Sequence, residues 1–127
     1  MAKEISVVGN KKIDTLKKEF NAKFPYLLLA LFPLSEKEKK TKTPYDSNRT
    51  ISEIRTKVNP GDISLHGLTK VSNLEKDFEK IFGLYAQICY IKADGGRFFT
   101  SRKYDEMSLT ELNHNGKEQG WKKDIWC

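Results

Sequence analysis

Ile5–Phe24 (ISVVGNKKIDTLKKEFNAKF) and Ile63–Phe82 (ISLHGLTKVSNLEKDFEKIF) align without a gap at a separation of 58 positions. Ile5-Ser6 meets Ile63-Ser64, Gly9 meets Gly67, and Lys12 meets Lys70. Leu16, Lys18, Phe20 and Phe24 meet Leu74, Lys76, Phe78 and Phe82. Carried on to Phe32 and Tyr90, the comparison holds 8 identities in 28 pairs, where unrelated sequences give about two. Val7/Leu65, Ile13/Val71 and Glu19/Asp77 are conservative pairs, and Thr50-Ile51-Ser52-Glu53-Ile54 meets Ser108-Leu109-Thr110-Glu111-Leu112 at the same offset. The matches fall on positions that set local structure, which predicts a tandem duplication: residues 5–62 as a first repeat and 63–120 as a second, within a single compact domain spanning 1–127.

Each repeat reads as β-α-β-β-α. Short strands are expected at Glu4–Val8 and Asp62–His66, followed by helices at Asp14–Lys23 and Ser72–Ile81. Ile13, Leu16, Phe20 and Phe24, with Val71, Leu74, Phe78 and Phe82, recur every three or four residues and form one buried stripe per helix. Asp14 and Ser72 are suitable N-caps, and Ser72 with Glu75 has capping-box spacing. Pro25 and Gly83 end the two helices by different chemistry.

Strands follow at Tyr26–Phe32 and Leu84–Lys92. The first is apolar at every position, as a strand buried on both faces or covered by a partner would be. Asp94-Gly95 favours a tight hairpin turn into a returning strand at Arg97–Arg102; the first repeat has Glu36-Lys37 there. Short helices at Ile51–Arg55 and Leu109–Asn113 open with capping boxes, Thr50 with Glu53 and Ser108 with Glu111. Asn59-Pro60-Gly61 reads as the linker between repeats. The fold class is therefore α+β, an antiparallel or mixed sheet with helices packed on one side about a pseudo-two-fold axis. A ferredoxin-like order of strands fits the same alternation. The paired pattern, Leu-x3-Phe-x3-Phe before an apolar strand and then [Thr/Ser]-[Ile/Leu]-[Ser/Thr]-Glu-[Ile/Leu], resembles small uncharacterised bacterial proteins built from two such copies. The resemblance spans about residues 5–113, implies the architecture, and transfers no functional residue.

Size and composition bound the function. The 127 residues, 38% hydrophobic and 31% charged, suit a globular domain. The longest apolar run, Tyr26–Phe32, is far below the roughly 20 residues of a spanning helix, so no membrane association is expected. The start lacks the apolar stretch and cleavage site of a secretory signal, and a cytoplasmic location is the expectation. Cys89 and Cys127 form neither a disulfide framework nor a metal-ligand pattern; Cys89, within an apolar strand, reads as a buried thiol. No cofactor is implied.

Charge is the most informative functional signal. The net charge is +6. Residues 5–62 carry 12 Lys/Arg against 7 Asp/Glu, whereas 63–120 carry 8 against 8. Lys11, Lys12 and Lys18 on the first helix, with Lys37, Lys39, Lys40, Lys42, Arg49 and Arg55, are candidate polyanion-binding residues, because RNA or DNA gains affinity by releasing counterions to such a patch. Solvated lysines on a helix face are the competing reading, and lysine outnumbers arginine 19 to 4. No KH-type Gly-x-x-Gly clamp, aromatic RNP strand or zinc finger accompanies the charge.

Catalytic signals are sparse. His66 and His114 are the candidate general bases, and Asp105, Glu106 and Glu111 form a loose acidic group without calcium-loop spacing. Asp94-Gly95-Gly96 precedes an aromatic strand rather than a helix and reads as a turn. The tail, residues 121–127, carries Trp121 and Trp126, candidate protein-interface residues that either pack over a sheet edge or protrude to meet another chain. The preferred reading is a non-enzymatic protein-interaction module that self-associates or docks a protein partner. Nucleic-acid binding through the basic first repeat is the alternative, and an enzyme with a cleft between the halves is a third.

Overall fold

The structure is a computed structural model that describes residues 5–36, 48–56, 63–100 and 102–123. Among the described residues the fold is α+β, with four α-helices and two antiparallel sheets. Its elements are β1 (Ile5–Val7), α1 (Ile13–Lys23), β2 (Leu28–Pro33), α2 (Ile51–Ile54), β3 (Ile63–Leu65), α3 (Val71–Asp77), β4 (Leu84–Ile91), β5 (Arg97–Phe99) and α4 (Leu109–Gln119). No helix among the described residues is long and apolar enough to cross a membrane. Lys37, Lys39, Lys40, Lys42, Trp126 and the Asn59-Pro60-Gly61 linker lie outside the described residues.

Instead of one sheet there are two, β1-β3 and β2-β4-β5. Ser6 faces Ser64, 58 positions on, at the centre of the β1-β3 ladder. In the larger sheet Leu29 pairs with Ile88 and Ala30 with Gln87, which centres β2-β4 on the same offset. The second helix of each half is tied to the glycine turn after its first strand by corresponding main-chain bonds. The Ser52 N–H donates to the Gly9 carbonyl at 2.8 Å, and the Thr110 N–H to the Gly67 carbonyl at 3.0 Å. A Cβ on Gly9 would run into Ser52 Oγ, and one on Gly67 into Thr110 Oγ1, so both positions need the close approach glycine allows.

These bonds also correct the expected helix starts. α1 begins at Ile13 and α3 at Val71, with Lys12 and Lys70 as caps that make no side-chain bond. Asp14 and Ser72 therefore sit inside the first turn, and Ser72 forms no capping box. The helical N–H groups find main-chain partners instead: Ile13 donates to the Arg49 carbonyl at 2.9 Å, Val71 to that of Met107 and Ser72 to that of Asp105, both at 3.0 Å. At α2 and α4 the first two N–H groups are likewise taken by main-chain carbonyls, those of Lys11 and Gly9 for Ile51 and Ser52 and those of Thr69 and Gly67 for Leu109 and Thr110. The capping boxes of Thr50 with Glu53 and Ser108 with Glu111 form as well and satisfy the next donors, the N–H groups of Glu53 and Glu111.

The core has one apolar face of the larger sheet as its floor. Leu29 and Leu31 of β2, with Leu84, Ala86, Ile88 and Tyr90 of β4, join the buried residues of α1, α2, α3 and α4 in one cluster. Phe20 and Phe78 are both fully buried, and each ring packs on the phenylalanine one turn later, Phe24 at 5.2 Å and Phe82 at 6.1 Å between centroids. The alternate residues Leu28, Ala30, Phe32 and Cys89 are buried as well, as the unbroken apolar run in β2 implies.

The second half departs from expectation beyond α3 and at its end. Phe78–Phe82 is a π-helical turn closed by Gly83, whose φ of 67° is left-handed. β5 stops at Phe99, and α4 runs six residues past Asn113 to Gln119. Gly116 is buried within α4, where a Cβ would come within 2.6 Å of the Trp121 ring and 2.9 Å of the Tyr26 Cβ. Trp121 itself stacks on Tyr90, with centroids 3.9 Å apart and rings 11° from parallel, and meets Tyr104 edge-on at 5.9 Å. The Lys122 N–H then donates to the Ile91 carbonyl at 2.8 Å. Burial raises the pKa of the Tyr90 hydroxyl, and Tyr104 beside it adds to the effect.

Gly116→Ala is therefore expected to destabilise the protein by about 1–3 kcal/mol through overpacking, although alanine is intrinsically the better helix former by about 1 kcal/mol. Urea denaturation checks the sign. Thr50→Ala and Ser108→Ala should each cost about 1 kcal/mol in the same assay, as lost N-caps do.

Candidate functional site

The structure gives most of the described basic candidates local partners. Lys11 reaches Glu19 and the Ser6 carbonyl, both at 2.6 Å. Lys18 pairs with Asp14 at 3.2 Å, and the Arg49 Nε with Glu53 at 3.2 Å, each across one helical turn or its approach. Arg55 lies over the Phe82 ring, 4.6 Å from its centroid, and donates to the Ile81 carbonyl at 3.3 Å. Lys12 is exposed and is joined to Thr50 by a main-chain bridge, which brings it beside Arg49 at the start of α1. The basic surplus of the first half is thus partly spent on neighbouring carboxylates and on the core.

Trp121, a candidate interface residue in the sequence, is 6% exposed and stacks on Tyr90 within the core.

The histidines also find structural partners. His114 lies within α4, exposed, with Nε2 3.4 Å from Glu118 one turn on, rather than in a loop after the helix. His66 forms a turn: its N–H donates to Thr69 Oγ1 at 3.1 Å, and its Nδ1 accepts from the Leu68 N–H at 3.2 Å. A neutral imidazole that accepts at Nδ1 carries its proton on Nε2, so the lone pair a general base needs is already engaged. Among the described residues no group of three or more His, Cys, Asp or Glu is placed to hold a metal ion. In the Asp94 turn the Gly96 N–H donates to Asp94 Oδ1 at 2.8 Å and Gly95 has a φ of 95°, which accounts for that sequence as a turn.

Two surfaces emerge that the residue types alone did not single out. The first is the outer edge of β5, where Phe98 and Phe99 are each 43% exposed. Phe98 stacks on Tyr90 at 5.8 Å with Lys92 over its ring, and Phe99 meets Phe32 edge-on at 5.8 Å on the other side of the sheet. The second is an open cleft of about 810 Å³ between the halves, lined by Phe24, His66, Leu68, Glu111 and Asn113 among others. His66 and Glu111 share this cleft, but Glu111 Oε1 is engaged as a cap, accepting from the Ser108 N–H at 3.2 Å. Leu68 stands at its rim with 80% of its surface exposed. The edge aromatics were visible in the sequence as a strand but not as an edge, since strand order depends on pairing. The cleft was legible only in differences between aligned positions, Arg55 against Asn113 and Arg49 against Met107.

No family model, curated protein or solved structure matches the chain.

The capping box at α2 carries a pH signature. The Thr50 N–H and then its hydroxyl hold the Glu53 carboxyl below the ordinary carboxylate range, with Arg49 adding to the effect. A group whose pKa is lower folded than unfolded stabilises fully above the unfolded value, and the contribution is lost as pH falls through the folded one. Glu53→Gln should therefore narrow its stability deficit against wild type as the pH drops into that acid range, followed by thermal melts from pH 7 downward.

Proposed function

We propose that the protein is a non-enzymatic interaction module that self-associates along β5. The 58-residue correspondence is read here as a tandem duplication whose second copy has acquired this exposed aromatic edge. The observation that carries the reading is the pair Phe98 and Phe99, each 43% exposed on an edge strand. An edge strand offers unpaired N–H and C=O groups to another chain, and large aromatic side chains supply the apolar area that makes such pairing stable. Antiparallel pairing centred on Phe98 would set the two Phe98 rings opposite each other and Arg97 of each copy against Phe99 of the other. Two three-stranded sheets would become one of six strands.

The net charge of +6 makes the copies repel. Added salt screens that repulsion and should tighten self-association. Binding of a polyanion to Lys12 and its neighbours has the opposite salt dependence, because counterion release weakens it. This second reading rests on the charge asymmetry between the halves, and one salt series separates the two.

Sedimentation equilibrium from low to high salt is the test. The expected outcome is a mass above the 14.7 kDa of one chain, rising with salt, and a monomer for the Phe98→Thr/Phe99→Thr double variant. A wild-type chain that stays monomeric throughout overturns the reading. Retardation of DNA or RNA that fades with salt would move the assignment to the basic face.

A further inference from the structure

Three aromatic rings run in series toward the edge of the larger sheet. Trp121 stacks on Tyr90 with centroids 3.9 Å apart, and Phe98 stacks on Tyr90 at 5.8 Å, 23° from parallel. Trp121 and Tyr90 are buried, whereas Phe98, the last ring, is 43% exposed. Its neighbours Tyr90 and Lys92, the latter with its ammonium 4.5 Å from the Phe98 centroid, both come from the β4 side. β5 is the outermost strand of the sheet, so the open part of the ring faces past the edge. Lysines surround the series. Besides Lys92, Lys103 lies over Tyr104, 5.5 Å from a ring that meets Tyr90 edge-on, and the Lys122 N–H bonds to the Ile91 carbonyl at 2.8 Å. All three lysines are exposed, and none makes an ion pair among the described residues. In the first half, by contrast, Lys11, Lys18 and Arg49 are each held by a carboxylate. The acidic residues after Tyr104 are engaged elsewhere: Glu106 pairs with Lys70 at 3.2 Å, and Asp105 lines a small pocket with Ser72 and Glu75. Asp94, in the turn before β5, is a carboxylate that opposes an anion here, its Oδ1 accepting from the Gly96 N–H at 2.8 Å.

We infer that this corner of the sheet is a binding site for single-stranded nucleic acid, with a base stacked on Phe98 and the neighbouring phosphates on Lys92, Lys103 and Lys122. Every nucleobase presents a flat π-face, and its backbone carries a phosphate beside each base, so one ligand uses both the open ring and the unpaired lysines. An acidic peptide would satisfy the lysines and leave the ring unused. A duplex keeps its base faces inside its own stack. The net charge of +6 favours the encounter with any polyanion. The site uses none of Lys12, Lys18, Arg49 and Arg55. It shares Phe98 with the pairing proposed above, so the two uses exclude each other, but it requires no self-association.

The experiment is fluorescence anisotropy of labelled oligouridylate and oligothymidylate, each about 12 nucleotides long, titrated with the full chain across a salt series. The expected result is saturable binding of a single strand that weakens as salt rises. Duplex DNA and polyglutamate should each bind about tenfold more weakly, because neither offers a base to the ring. Phe98→Ala should weaken binding about tenfold, within what one stacked base contributes, and Phe98→Trp should retain it. Lys92→Gln with Lys122→Gln should reduce the slope of log affinity against log salt by about two, one for each phosphate contact. Asp94→Asn, which keeps a turn-forming side chain, should tighten binding, a gain that misfolding would not mimic. Phe99→Thr, on the other side of the sheet, and Lys12→Gln should leave affinity unchanged, which separates this site from the pairing surface and from the charge of the first half. Equal binding of polyglutamate or of the duplex would reduce the effect to charge attraction and overturn the inference. So would the absence of binding at low salt, full affinity in Phe98→Ala, or loss of binding in Lys12→Gln.

Discussion

Antiparallel pairing of Leu28–Pro33 with Leu84–Ile91 holds the two halves of this chain against each other. Everything else is arranged around that ladder. One face of the pair receives the apolar stripes of α1 and α3 and the buried residues of α2 and α4, so a helix of either half completes its burial only when the ladder is in register. A slip of one residue would exchange Leu29 and Leu31 for Leu28 and Ala30 on that face, and the strand's unbroken hydrophobicity would not by itself resist it. The resistance comes from β4. Its inward residues Leu84, Ala86 and Ile88 alternate with Tyr85 and Gln87, and Gln87 donates to the Glu75 carboxylate at 3.1 Å.

A second ladder, β1 with β3, is centred on the same 58-residue offset. Helices α2 and α4 then lock onto the glycine turns after β1 and β3 through equivalent main-chain bonds. Within this shared frame the halves diverge at the surface. The first half keeps Arg49 and Arg55, which cover Glu53 and Phe82. The second half has Met107 and Asn113 at those positions, a longer α4, and Trp121 over Tyr90. Its exposed features are the β5 aromatics and the cleft at Phe24.

Helix initiation shows how local and tertiary signals divide the work. Thr50 and Ser108 cap their helices with side chains, as the spacing to Glu53 and Glu111 predicts. Asp14 and Ser72 have equally good chemistry and are not caps, because α1 and α3 start one residue before them, at Ile13 and Val71, whose N–H groups bond to the carbonyls of Arg49 and Met107, and Ser72 bonds in turn to that of Asp105. Those carbonyls belong to residues more than 30 positions away, and no local pattern announces them. Gly116 makes the same point from the other side: the space that a side chain would need there is taken by the Trp121 ring, a neighbour that tertiary packing supplies.

By itself the sequence determined the α+β class, the buried stripes of α1 and α3, the two capping boxes, the Asp94 turn and the 58-residue register, because each depends on spacing within a few residues or on self-comparison. It also disclosed that charge is concentrated in residues 5–62. Only the tertiary structure decided that there are two sheets rather than one, that β5 is an edge, that Trp121 is core, and which basic side chains are already paired. Those outcomes depend on which groups meet across long stretches of chain, where burial and main-chain hydrogen bonding outweigh local preference.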